Sequence, residues 1–308
     1  MAWATRRDVG RVVFVTRELV LVTGAAGLVG SRLAERFLRE GFSVRALDVR
    51  PFELPGVDCL LGNVTDPDEI ERAAAGAAVV AHCAAIIAGG DEEMTRVNAD
   101  GTRLLVDASM LAGCRRFLLV STGAVYAFEK HAVVDESTPF LREGGAFQLS
   151  KVQAEEAVWA ASARGLPVTV FRPFLILGAH PSSTWSALLA RRIIDGEPIM
   201  RGDGSGSLPY VHVDNLVDAA IMAVRSAQAV GQAYNIVDGH ITGREYFDDV
   251  CRLLGVDPLV PRGEVVPWRG RYSGAKAERE LAYAPRVSYQ EAMAELERYL
   301  VETGMIKR

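Results

Sequence analysis

Thr23-Gly24-Ala25-Ala26-Gly27-Leu28-Val29-Gly30 places three glycines at GxxGxxG spacing between the apolar run Leu19–Val22 and a segment in which Leu28, Leu33, Ala34, Phe37 and Leu38 recur at helical spacing up to Gly41. The order is strand, tight turn, helix. Without Cβ atoms the turn can approach a pyrophosphate closely, and the helix N-terminus adds unpaired N–H groups and the positive end of its dipole. A ligand-free glycine turn would carry the same three residues. The strand before it, the helix after it and Asp48 at the end of the next strand set this one apart. A carboxylate at Asp48 can accept hydrogen bonds from the adenine ribose hydroxyls and repel a 2′-phosphate, which favours NAD. Arg50, two residues on, could pair with such a phosphate, so NADP stays open.

Further along the chain, apolar strand-like runs alternate with helical patterns. Strands are expected at Phe42–Leu47, Val57–Leu61, Ala78–Cys83, Arg116–Val120 and Val168–Phe171. Helices are expected from Asp66-Pro67 towards Ala75, from Glu92 to Ala112 and around Leu149–Arg164. This alternation predicts an α/β fold with a Rossmann-type doubly wound parallel sheet. After Gly178 the rhythm loosens into helices near Thr184–Asp195, Asp214–Ser226, Thr242–Leu254 and Tyr289–Thr303, with a glycine-rich, hairpin-like stretch at Gly202–Gly206. We therefore expect an N-terminal extension over 1–18, a dinucleotide-binding core over 19–178, and a smaller C-terminal substrate-binding lobe over 179–308 interwoven with the end of the sheet.

The 308 residues carry a net charge of −5 and no Lys/Arg run, which argues against nucleic acid as a partner. No apolar stretch reaches the roughly 18 residues that span a bilayer, so no membrane partner is expected. Arg6, Arg7 and Arg11 precede Val12-Val13-Phe14-Val15, but the run is short, Glu18 follows and no small-residue cleavage site appears, so a signal peptide is not expected. Cys59, Cys83, Cys114 and Cys251 lie far apart without metal-ligand spacing, as buried reduced thiols of a cytoplasmic protein would, and no metal site is expected. The expected partners are a small-molecule substrate and a second copy of the chain.

The turn TGxxGxxG is followed in order by Leu61-Gly62-Asn63-Val64-Thr65-Asp66, Val79-Val80-Ala81-His82-Cys83-Ala84-Ala85, Val97-Asn98-Ala99-Asp100-Gly101-Thr102, Val120-Ser121-Thr122-Gly123-Ala124-Val125-Tyr126, Ser150-Lys151 and Phe171-Arg172-Pro173. This series resembles the extended short-chain dehydrogenase/reductases, which include nucleotide-sugar epimerases and dehydratases, 3β-hydroxysteroid dehydrogenases and dihydroflavonol reductases. The resemblance implies a dinucleotide held by Gly24, Ala26, Gly27, Leu28, Val29, Gly30, Asp48, Arg50, Asn63, Val64, Ala84, Ala85, Lys151 and Pro173. Asn63 stands where the family usually has an aspartate against the adenine amino group, and its amide carbonyl could still accept that hydrogen bond. His82 fits the strand-end pattern as a structural residue.

The resemblance also implies a Ser or Thr after the fifth strand that orients the substrate, which falls on Thr122 with Ser121 beside it. It further implies a Tyr-x-x-x-Lys pair, in which the phenol works as acid or base and the lysine lowers its pKa and binds the nicotinamide ribose. Lys151 supplies the lysine, but the phenol position is Phe147, whose ring cannot exchange a proton. Three readings follow: an engineered inactive variant of a tyrosine enzyme, a natural enzyme whose proton comes from the substrate, water or Thr122, or a dinucleotide-binding protein without catalysis. Tyr126 belongs to the structural end of its motif. Glu129, Asp135 and Glu136 lie in the loop over the site, as solvated charges or as a substitute carboxylate.

In the lobe, Leu208 stands where nucleotide-sugar enzymes commonly carry a basic residue, and Val211-His212-Val213-Asp214-Asn215-Leu216-Val217-Asp218-Ala219 resembles the steroid-dehydrogenase-like and reductase-like branch. Trp185, Trp268 and Tyr272 could line an apolar pocket or simply fill a core. The expected activity is NAD(P)-dependent hydride transfer on a ketone or secondary alcohol. The alternatives are a nucleotide-sugar epimerase or dehydratase with tightly bound NAD, and a non-catalytic dinucleotide-binding protein.

Overall fold

The computed structural model describes residues 17–197, 199–200, 202–261, 263 and 267–307. The N-terminal extension expected over 1–18 therefore lies outside the described residues, except for its last two. The chain then runs β1 (Leu19–Thr23), α1 (Leu28–Arg39), β2 (Ser43–Asp48), β3 (Asp58–Leu61), α2 (Pro67–Ala74), β4 (Ala77–His82), α3 (Asp91–Met94), a π-helical stretch (Thr95–Asp100), α4 (Gly101–Leu111) and β5 (Arg116–Val120). It continues through β6 (Val133–Val134), α5 (Ala146–Ala163), β7 (Val168–Arg172), β8 (Leu175–Leu177), α6 (Ala187–Ile194), β9 (Ser207–His212) and α7 (Val213–Arg225). The last elements are β10 (Gln232–Asn235), β11 (Gly239–Thr242), α8 (Gly243–Leu254), β12 (Arg271–Tyr272), α9 (Ala275–Leu281) and α10 (Tyr289–Glu302).

Seven strands form a parallel sheet in the order β10-β7-β5-β4-β1-β2-β3. Strand order reverses between β1 and β4, and ligands of open α/β sheets bind at such a switch point. The central strands are buried on both faces, hence their continuous Val, Leu and Ala runs. Leu33, Ala34 and Phe37 of α1 share one core with Leu216 and Ala220 of α7 and with Ala277 of α9. Ile70 of α2, Leu105 of α4 and Val158 of α5 close the opposite core.

Several elements differ from the sequence expectation. The helix expected over Glu92–Ala112 contains the π-helical stretch, which turns Asn98 inward. Its Nδ2 donates to Ile86 O and Ser150 Oγ, and its Oδ1 accepts from Ile86 N. The helix expected from Leu149 begins at Ala146, because Gln148 Oε1 caps Gly145 N–H at 2.9 Å, and Phe147 consequently sits in its first turn. β8 joins β9 and β11 in a three-stranded sheet of the lobe, whereas β10 extends the central sheet. Gly202–Gly206 forms turns ahead of β9 rather than a hairpin. Cys114 and Cys251 are buried, but Cys59 and Cys83 are only half-buried, and none of the four is paired.

His82 closes β4 as a fully buried imidazole. Thr102 Oγ1 donates to Asn98 O at 2.6 Å, so it must accept Nε2–H of His82 at 2.9 Å, leaving Nδ1 to accept the Thr23 hydroxyl at 2.7 Å. Burial, reinforced by the charge of Lys151, pushes its pKa down to about 3. On acidification below about 6.5 the unfolded chain takes up this proton and the folded chain does not. His82 alone should therefore remove ~1.4 kcal/mol of stability per pH unit between that point and about 3. Stability measured by denaturant unfolding at descending pH should fall, and His82→Gln, which keeps one donor and one acceptor, should show a slope shallower by about this amount.

Candidate active site

The glycine turn is built by close contact. Gly24 adopts φ +71°, and a Cβ on it would lie 2.6 Å from Ala84 N; one on Gly30 would lie 2.2 Å from Gly24 O. Gly24 N and Ala25 N donate to Leu47 O, which fastens the turn to the end of β2. Gly27 caps α1 without a side-chain hydrogen bond, so the helix N-terminus is not capped by a side chain of its own. Asp48 is buried, and its two oxygens accept from Ala26 N at 3.0 Å and Arg50 N at 2.9 Å. It braces the turn. Arg50 returns its Nε to Asp48 at 3.4 Å and leaves its guanidinium beside Gly27. Asn63 Oδ1 is taken by Thr65 N at 3.0 Å in an Asx turn, while Val64 is buried against Gly101. The cradle with no room for a Cβ and the open helix end fit a dinucleotide diphosphate.

Beside this turn lies a cavity of about 430 Å³. Gly24, Gly27, Leu28, Val29, Gly30, Ala85, Ser121, Thr122, Phe147, Lys151 and Pro173 line it, so the structure gathers the glycine turn and all four residues of the expected catalytic set around one space. Ala26, Asp48, Arg50, Asn63, Val64 and Ala84 lie outside its lining. Cys83, Phe174, Ile176 and Ser182–Trp185 also line it; the sequence offers Trp185 as a pocket residue and Cys83 only as a buried thiol within a motif, and gives no site role to the rest. Phe174, Ile176 and Ser182–Thr184 carry no motif of their own.

Ser121 and Thr122 differ in what they can offer. Ser121 is buried and donates to Glu155 Oε1 at 2.5 Å, so its hydroxyl is committed to structure. Among the described residues Thr122 Oγ1 accepts from Ala124 N alone, at 3.2 Å, leaving its own proton available to the cavity. Glu155, with no exposed surface, also accepts from Arg172 Nε and Nη2, and Arg172 Nη1 donates to Tyr126 OH at 2.7 Å. Lys151 is 3% exposed and donates to Val120 O at 3.0 Å. Burial pulls its pKa down to about 8 against the opposing pull of Glu155.

The other acids considered from sequence are placed away from this cavity. Tyr126 is buried and donates to Asn235 Oδ1 at 2.7 Å. Asp135 binds Ser137, and Glu136 accepts from Asn235 N at 2.7 Å. Glu129 lines a second cavity of about 890 Å³ together with Leu208, Phe128, Phe247, Trp268 and Tyr272. Phe174 and Trp185 belong to both linings, so the two spaces meet at a shared aromatic wall. Trp185, Trp268 and Tyr272 thus line the pocket that the sequence allowed them, and Tyr272 OH also donates to Gly123 O at 2.9 Å. Among the described residues no cluster of His, Cys, Asp or Glu could hold a metal ion, and no helix is long and apolar enough to cross a membrane.

A glycine cradle at the switch point, with Thr122 and Lys151 beside it, defines an NAD-dependent enzyme of the extended short-chain dehydrogenase/reductase type. The chain belongs to the NAD dependent epimerase/dehydratase family, whose model matches residues 20–237. It is 30% identical to 3 beta-hydroxysteroid dehydrogenase/Delta 5-->4-isomerase of Mycobacterium tuberculosis, over 93% of this chain and 92% of that one. It is 28% identical to the 4-hydroxy-2-methyl-3-oxo-4-farnesyl-3,4-dihydroquinoline-1-oxide ketoreductase of Stigmatella aurantiaca, over 88% and 93%. Among solved structures, the dTDP-glucose 4,6-dehydratase DesIV of Streptomyces venezuelae, with NAD and TYD bound, superposes with a TM-score of 0.81 at 25% identity, covering 92% of this chain and 97% of that one.

Because backbone atoms occupy the space of a Gly30 side chain, Gly30→Ala should force the turn open and weaken NAD binding at least about tenfold, or ~1.4 kcal/mol. Calorimetric titration with NAD measures this, and unchanged affinity would show that the close approach is not needed.

Proposed function

We propose that this chain transfers hydride between NAD and a ketone or secondary alcohol on a predominantly apolar small molecule. The carrying observation is the junction of the two cavities. The space holding Thr122 and Lys151 meets, at Phe174 and Trp185, a larger space lined by Phe128, Phe247, Trp268, Tyr272 and Leu208. Such a wall gains from burying apolar surface, at about 25 cal/mol per Å². The names of the steroid dehydrogenase and ketoreductase relatives support the same substrate class.

In this reading Gly24, Gly27, Leu28, Val29 and Gly30 hold the diphosphate, Asp48 holds the adenosine side, and Ala85, Lys151 and Pro173 flank the nicotinamide end. When bound, the cofactor supplies or accepts the hydride. Thr122 donates its free hydroxyl proton as a hydrogen bond to the substrate oxygen, which fixes the carbon that reacts and stabilises charge on the oxygen. The residues numbered 19–178 carry the cofactor and those of 179–308 supply most of the substrate wall. A nucleotide-sugar substrate is the second reading, favoured by Lys130 and Arg269 in the lining of the larger cavity.

Incubation with NAD or NADH and a panel of apolar ketones, apolar secondary alcohols and nucleotide sugars separates the two. We expect net change in nicotinamide absorbance with apolar members, and a KM raised about tenfold or more by Trp268→Ala with a smaller effect on kcat. Conversion of nucleotide sugars alone, without net change in NAD, would overturn the proposal.

A further inference from the structure

Reduction of a ketone requires one proton besides the hydride, and Phe147 cannot provide it. The composition of the smaller cavity narrows the source. Among the described residues that line it there is no carboxylate, imidazole or phenol; the titratable groups are Lys151 and Cys83. The Cys83 thiol is pushed up to about 12 by burial, which leaves it a weak acid here. Ser121 has committed its proton to Glu155. Thr122 can donate a hydrogen bond, but a hydroxyl that gave up its proton outright would become an alkoxide as costly as the one it relieved.

Lys151 is different in geometry as well as in chemistry. Its ammonium is almost fully buried at the cavity wall, and Val120 O takes one of its three protons. The other two have no partner among the described residues. Two donors on a buried cation call for two acceptors, and the cavity is the side from which they can come. With the cofactor bound, a ribose hydroxyl would take one of the two protons, as the resemblance implies for Lys151, and the second would be left for the reacting oxygen.

We propose that Lys151 itself exchanges the proton with the substrate oxygen, in place of the phenol that position 147 lacks. The inference rests on the hydride-transfer reading above. In reduction the carbonyl carbon gains the hydride that the reduced cofactor supplies, and the carbonyl π pair moves onto oxygen. The oxygen takes a proton from Nζ, so the products are the secondary alcohol, the oxidised cofactor and a neutral amine, which water reprotonates. Oxidation runs the same steps backwards, with the neutral amine removing the hydroxyl proton.

The surroundings suit this exchange. Burial pulls the ammonium down to about 8, so both protonation states are accessible near neutrality. The charged and titratable groups around it are Glu155, which is paired with Arg172, and Cys83 and His82 at the end of β4, both held neutral. None of these supplies a competing acid.

The test joins a direct titration with kinetics. The Lys151 Cε resonance, assigned by its absence in Lys151→Arg, should titrate near 8 in the protein without cofactor, against an ordinary lysine value of 10.5. With an apolar ketone, kcat/KM for reduction should fall as pH rises through about 8, and oxidation of the alcohol should rise through the same point. Lys151→Arg keeps the charge but does not deprotonate in this range; it should still bind NAD within a few-fold and lose about a hundredfold or more in turnover, together with the pH break. Titration at the ordinary lysine value, or survival of the break in Lys151→Arg, would overturn the proposal. Phe147→Tyr keeps the two readings apart. If that variant turns over ketones on which the native chain is idle, hydride transfer stands and the role of Lys151 falls. If neither protein turns over any ketone or alcohol, the hydride-transfer reading falls and takes this one with it.

Discussion

The Glu155 carboxylate has no exposed surface, and much of the cleft is arranged to satisfy it. Arg172 reaches it through Nε and Nη2, Ser121 donates to it at 2.5 Å, and Trp159 Nε1 lies 3.4 Å away. Removing one partner from a buried pair of this kind typically costs about 3–5 kcal/mol, because the remaining charge cannot regain water. The pair therefore fixes α5 against the ends of β5 and β7. Arg172 passes the constraint on through Tyr126 to Asn235 of β10. Thr122 follows Ser121 directly, and Lys151 lies one helical turn before Glu155, so both are placed by a network that need not touch substrate.

A second constraint works through the absence of atoms. Gly30 packs on the carbonyl of Gly24, and Gly24 on the backbone of Ala84, so α1 and the ends of β1 and β4 meet without side chains between them. This brings the open end of α1 to the point where strand order reverses. Asp48 then braces the turn through Ala26 N, which couples the residue expected to select the cofactor to the shape of the loop that binds it. The cleft is thus stiff on the cofactor side, while its far wall is assembled from loops around Phe174 and Trp185.

Family membership settles the cofactor and the broad chemistry, and the departures from the family pattern carry what is particular to this chain. Leu208 lines the larger cavity at the position where the resemblance implies a basic residue in nucleotide-sugar enzymes, and six aromatic rings line the same cavity. Phe147 lines the smaller one beside Lys151 and adds a ring without a proton. The apolar wall and the missing phenol together leave a cavity poor in titratable groups, in which a desolvated lysine has more chemical weight than it has beside a tyrosine.

The sheet and the glycine turn were legible in the sequence because their signals are local. A buried parallel strand needs a short apolar run, and the turn needs residues without Cβ, whatever lies elsewhere. Thr122, Phe147 and Lys151 were legible only because two segments resemble those of a known family, which implies their positions. The early start of α5 was missed because its cap is a glycine closed by Gln148, and β8, β9 and β11 are too short or too irregular to show a period. Folding alone decided that Ser121 belongs to Glu155, that Tyr126 and Glu136 lie outside the lining of the cavity, and that two protons of Lys151 have no partner among the described residues. Those outcomes depend on burial and on partners from distant segments, as with Tyr126 and Asn235, and neither property is written in the neighbours of a residue along the chain.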